Sequence, residues 1–159
     1  MKIKKGHVFM ATIVSLCLSA SAVFAAGPYG GGMGMGKGAG GGWGMGTPYQ
    51  RMYNPSTVET VSGTVESVDQ IMPMKGMSYG VHVMVRTDKE VISVHLGPAW
   101  FMNKQGLHIQ KGDTIEVRGS RITFQGQPAI IAAEVKKGNS TLELRNSSGI
   151  PVWSRSNLK

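Results

Sequence analysis

Residues 80–97 read GVHVMVRTDKEVISVHLG. Apolar and polar residues alternate on both sides of a charged interruption. Val81, Val83 and Val85 fall on one side of an extended chain, and His82, Met84 and Arg86 on the other. Period two marks a strand with one buried face. After Asp88-Lys89 the alternation resumes, with Ile92, Val94 and Leu96 opposed to Val91, Ser93 and His95. The stretch is therefore a β-hairpin, Gly80–Thr87 and Glu90–Gly97, turning at Asp88-Lys89. Both all-apolar faces enter one core only if odd positions of the first strand pair with even positions of the second. A short, even-numbered loop then sets Val83 opposite Val94, Val85 opposite Ile92 and His82 opposite His95.

Working outward, β-branched residues recur between Gly and Pro breaks. A strand over Thr57–Asp69 precedes the hairpin, and its Gly63 suggests a bulge or bend. Met72-Pro73-Met74-Lys75-Gly76-Met77 is a loop. After Gly97-Pro98, Ala99–Gln105 forms two helical turns stopped by Gly106. Trp100 and Phe101 then plug one end of the core. Lys111-Gly112-Asp113 is a tight turn, and Gln125-Gly126-Gln127 joins strands Thr114–Phe124 and Pro128–Val135. Three strands, a short helix and two strands give an all-β fold, a small OB-fold-like five-stranded barrel. Beyond Gly138, Thr141–Arg145 and Ile150–Trp153 flank a turn at Asn146–Gly149. They make a C-terminal β-hairpin that packs Leu142, Leu144 and Trp153 on the barrel.

The rest of the chain divides sharply. Residues 1–25 carry Lys2, Lys4 and Lys5, an apolar run from Val8 to Leu18, and Val23 and Ala25 at the −3 and −1 positions. This is the pattern of a secretory signal peptide cleaved after Ala25. The apolar run falls short of the ~18 residues that a spanning helix needs. Cleavage removes three lysines and the only Cys, so the net charge falls from +8 to +5. The expected location is periplasmic or otherwise exported, with no stable membrane span after cleavage. Nucleic acid in the cytoplasm is then no partner. Residues 26–56 form a Gly/Met-rich tether, since 12 of the 23 glycines lie between Gly27 and Gly46. Such a stretch lacks the apolar surface to offset its ordering entropy. The domains are thus 1–25, 26–56, 57–138 and 139–159.

Several runs carry a resemblance. They are Val94-His95-Leu96-Gly97-Pro98-Ala99-Trp100-Phe101, Lys111-Gly112-Asp113, Gly119-Ser120-Arg121, Leu142-Glu143-Leu144-Arg145 and Gly149-Ile150-Pro151-Val152-Trp153. Together they resemble a family of exported bacterial proteins that includes the MamS/MamX domain of magnetosome-associated proteins. The resemblance implies an exported OB-like domain with no established enzymatic activity and, in bacteria that make magnetosomes, a link to iron biomineralisation. MamX-type proteins also carry C-x-x-C-H haem-attachment motifs. This sequence has none, so haem does not carry over. It is more loosely similar to periplasmic copper chaperones of the CusF type, but their W-x-x-M-x-M element is absent.

The candidate metal ligands are His82, Met84 and His95. Directly opposed strand residues have Cβ atoms about 4.5–5.5 Å apart, close enough for two imidazoles to share an ion. Imidazole suits Zn, Cu, Fe and Ni, and a thioether favours copper. A third ligand would come from the Met72–Met77 loop or the tether. The competing reading makes these ordinary solvent-facing residues, with His108 also at the surface. Catalysis has little support: Ser93, His95 and Asp113 supply the residue types of a triad without specifying its geometry. The expectation is a non-enzymatic binding or accessory protein handling copper or iron, its partner an unknown envelope protein or a metal ion. The alternative is a purely structural or protein-interaction module of the cell envelope.

Overall fold

The computed structural model describes residues 41–154. The expected signal peptide and the first part of the expected tether lie outside the described residues. Six strands and one short helix make up the fold: β1 (Val58–Ile71), β2 (Gly80–Arg86), β3 (Val91–Pro98), α1 (Ala99–Met102), β4 (Thr114–Phe124), β5 (Gln127–Lys137) and β6 (Ser140–Glu143). The strands lie in the order β3-β2-β1-β4-β5-β6. All neighbours in that order are antiparallel. A parallel pairing of β3 with β5, Ser93 to His95 against Ala129 to Ile131, closes the first five strands into a barrel. This is the expected OB-like architecture, and closure covers the outer edge of β3.

The β2–β3 register is the one that the alternation requires. Val83 faces Val94, Val85 faces Ile92 and His82 faces His95. The loop has four residues, Thr87 to Glu90, and the Thr87 hydroxyl accepts the backbone N–H groups of Lys89 and Glu90. Val83, Val85, Ile92, Val94 and Leu96 are all buried in the core. They meet Ile115, Val117, Ile130 and Val135 from the other wall of the barrel.

Local differences have local causes. The irregularity in β1 falls between Val65 and Ser67, not at Gly63. Gly63 is needed for another reason: a Cβ there would overlap the Arg86 carbonyl of β2. The helix is a single turn, Ala99–Met102, followed by turns in which Lys104 N–H donates to Phe101 and Gln105 N–H to Met102. Trp100 and Phe101 are half-buried against the core, as a plug would be. The β4–β5 turn places both Gln125 (φ 51°) and Gly126 (φ 78°) in the left-handed region. That geometry matches the right-handed twist of the strands it joins.

The largest difference concerns the tether. From Gly41 onward the chain lies folded on the barrel, and Trp43, Tyr49 and Tyr53 are buried. Glycine content averaged over 26–56 hides these three aromatic side chains, which lie with Tyr29 among four in that range, each able to bury about 150–250 Å². Here the glycines serve contact: Gly41 and Gly42 have positive φ and pack against Ser78 and Met77. The C-terminal segment is likewise no separate hairpin. β6 extends the sheet beside β5, and its return is one bridge, Arg145 to Pro151, before a 3-10 turn at Val152–Ser154. Leu144 and Trp153 belong to the common core.

Candidate functional site

The outer face of β1, β2 and β3 carries two rows of polar side chains. Asp69, His82 and His95 are paired across the three strands, and Ser67, Met84 and Ser93 form the adjacent row. The β1 irregularity ahead of Ser67 sets Asp69 in line with His82, a placement that a plain count along the sequence does not give. The His82 and His95 ring centres are 5.8 Å apart, with ring planes at 56°. Ligand bonds of about 2.0–2.1 Å, extended by the ring radius, separate two imidazoles on one ion by roughly 5–6.5 Å between ring centres. The three residues expected to bind metal therefore do share one face. Met84 lies half-buried one step along β2.

The histidines differ in surroundings. His82 is partly open, with Nε2 3.9 Å from an Asp69 carboxylate oxygen and Nδ1 3.3 Å from the Ser93 hydroxyl. Partial burial lowers its pKa, and Asp69 opposes that shift. His95 is only 3% exposed, contrary to the solvent-facing expectation. The Tyr49 ring stacks beside it at 6.0 Å and 9°, and its hydroxyl bonds His95 Nδ1 at 2.8 Å. Phe124 meets it edge-on at 4.7 Å. Burial first, then the nearby charge of His82 and of Arg145, pushes the His95 pKa down to about 4. Both imidazoles are thus held neutral at pH 7, the form that binds metals. An imidazole whose second nitrogen is hydrogen-bonded also has a fixed orientation, as metal-ligating histidines do.

Among the described residues, no three His, Cys, Asp or Glu side chains gather around one point. The histidine pair needs the thioether of Met84, or a small molecule, to complete a coordination shell. The tether does reach this face, but it brings a phenol to His95. Ser93, His95 and Asp113 do not come together: Ser93 bonds His82, while Asp113 pairs with Lys137 at 2.7 Å and accepts from the Gln110 N–H. His108 is exposed.

Residues 41–53 cover the β3 side of this face. Trp43 stands over Gly80, where a Cβ would overlap its indole, and Trp153 fills the equivalent notch at Gly97. The Trp153 indole N–H donates to the Trp43 carbonyl at 3.0 Å, and the Trp43 indole N–H donates to Ser78 at 3.0 Å. Trp43 packs edge-on against Tyr49 at 5.2 Å. Sequence alternation missed this cover because its residues lie outside any periodic segment. The clue was the two tryptophans themselves, too large to leave in water. A cleft of about 400 Å³ remains beside Asp69, walled mainly by Val68, Val81, Leu96, Met102 and Leu107.

No helix among the described residues is long and apolar enough to cross a membrane. Residues 57–142 match the model of the MamS/MamX magnetosome protein family. No curated protein matches the chain.

Proposed function

The chain belongs to the MamS/MamX magnetosome protein family, and from that premise we propose that it is an exported, non-enzymatic accessory protein that binds a copper or iron ion at His82 and His95. The observation that carries this reading is the paired, neutral imidazoles with ring centres 5.8 Å apart on one sheet face. Met84 is the third ligand in a copper site, since a thioether is soft; an iron ion would take its further ligands from water or a small molecule. Tyr49 holds the His95 ring from behind and contributes no ligand.

Titration of the full chain with Cu(I), Cu(II) and Fe(II) tests this directly. One ion per chain is expected, with at least a tenfold loss of affinity in His82→Ala, whose partly open side chain can be removed without opening the core. Unchanged affinity in that variant would sink the site. Loss of copper affinity in Met84→Leu with iron affinity retained would assign the thioether to copper. Export is tested by N-terminal sequencing of the envelope fraction, with Ala26 as the expected first residue.

A structural or interaction module is the second reading, and Tyr49 favours it. A histidine already bonded to a buried phenol has a complete structural role without metal. Nucleic acid and oligosaccharide are poor ligands for this barrel. OB folds take them on the β2–β3 face, and here the chain's own aromatic segment covers much of it.

A further inference from the structure

The segment after β6 carries a charge that its neighbours do not balance. Arg145 has no exposed surface. Its Nη1 donates to the Ala132 carbonyl at 2.5 Å. The guanidinium lies 4.9 Å from the Trp153 ring centre and 5.8 Å from that of Tyr53. Its remaining donors, Nε and Nη2, have no hydrogen-bond partner among the described residues. These two nitrogens form one edge of the planar group, the fork that grips an anion through two N–H bonds at once. Ser154 Oγ, in the turn that follows Arg145's bridge partner Pro151, is a further buried polar atom without a partner.

No carboxylate faces Arg145 among the ion pairs of the described residues. Its titratable neighbours are the phenols of Tyr49 and Tyr53 and the imidazole of His95. All three are neutral at pH 7. The desolvation of a lone buried cation exceeds what two aromatic faces return. Two unmade hydrogen bonds add to the deficit. Burial lowers the guanidinium pKa to about 10, which leaves it charged at neutral pH.

We propose that Arg145 is the receptor of an internal anion site, in which the Nε/Nη2 edge holds one small inorganic anion such as chloride while the Tyr53 and Trp153 rings hold the guanidinium. The full enclosure of the side chain selects a monatomic or very small ion over a metabolite. Filling the site ties the C-terminal turn, β5 and the aromatic cover to one charge. The site stands apart from the histidine pair and does not depend on metal binding there.

The test uses the full chain with chloride, then bromide, as probes. At constant ionic strength, replacing gluconate with chloride is expected to raise the thermal midpoint saturably. In Arg145→Met that response disappears. If the Met variant does not fold, the wild-type crystal structure grown in bromide decides the matter. An anomalous peak within hydrogen-bond distance of Nε and Nη2 is the expected result. Water at that edge, bromide only at other places, or a midpoint indifferent to chloride would overturn the proposal.

Discussion

Burial makes His95 a pH-sensitive part of this molecule. Its pKa is about 4 in the folded chain against an ordinary 6.5. A depressed histidine pKa contributes stability that is present above the unfolded value and lost as pH falls. The folded chain therefore weakens between about pH 6.5 and 4, by roughly 3 kcal/mol when the loss is complete. Urea midpoints measured across that range check this, and His95→Gln should flatten the profile. Tyr49→Phe leaves the imidazole without its partner and should cost about 1–3 kcal/mol. Gly80→Ala forces the Trp43 indole from its notch, and overpacking of this kind costs about 1–3 kcal/mol. Tryptophan fluorescence should shift to the red in the same variant. These contacts were only partly legible in the sequence. Alternation placed His95 on the outer face correctly, but it carries no information about what lies over that face.

At the scale of elements, sequence reading worked where a segment's structure depends on its own residues. The β2–β3 register followed from keeping two valine-rich faces in one core, because a one-residue slip would turn both outward. The turn expected at Gln125-Gly126-Gln127 is there but is one residue shorter, since β5 starts at Gln127, and nothing in the sequence said that Gln125 would take φ 51°. A non-glycine residue there is strained, so Gln125→Asn should stabilise the chain by about 0.5 kcal/mol, measured by chemical denaturation. The one-turn helix came out shorter than expected. Its residues are mainly wedged by Trp100, Phe101 and Met102 against the barrel, and packing, not helix propensity, fixes its length. Asp69 joined the candidate site through an irregularity in β1 that simple alternation cannot foresee.

For the whole molecule, the family match ends at residue 142 and begins at 57, so the aromatic cover lies outside it. Trp43, Tyr49, Tyr53, Leu144 and Trp153 all contribute to the common core. A chain cut to residues 57–142 should therefore melt well below the full chain, or fail to fold, because a barrel of this size has little core to spare. Circular dichroism melts of the two chains make the comparison. The sequence by itself determined the barrel class, the β2–β3 register and the shared face of His82, Met84 and His95. Those depend on period-two patterning and turn residues, which are properties of short stretches. Tertiary structure alone decided that residues 41–53 fold back, that His95 is dry and bonded to Tyr49, and that Arg145 is buried with no counter-charge among the described residues. Each of those contacts joins residues far apart in the chain, and its energy comes from removing large aromatic surfaces from water, which no local pattern records.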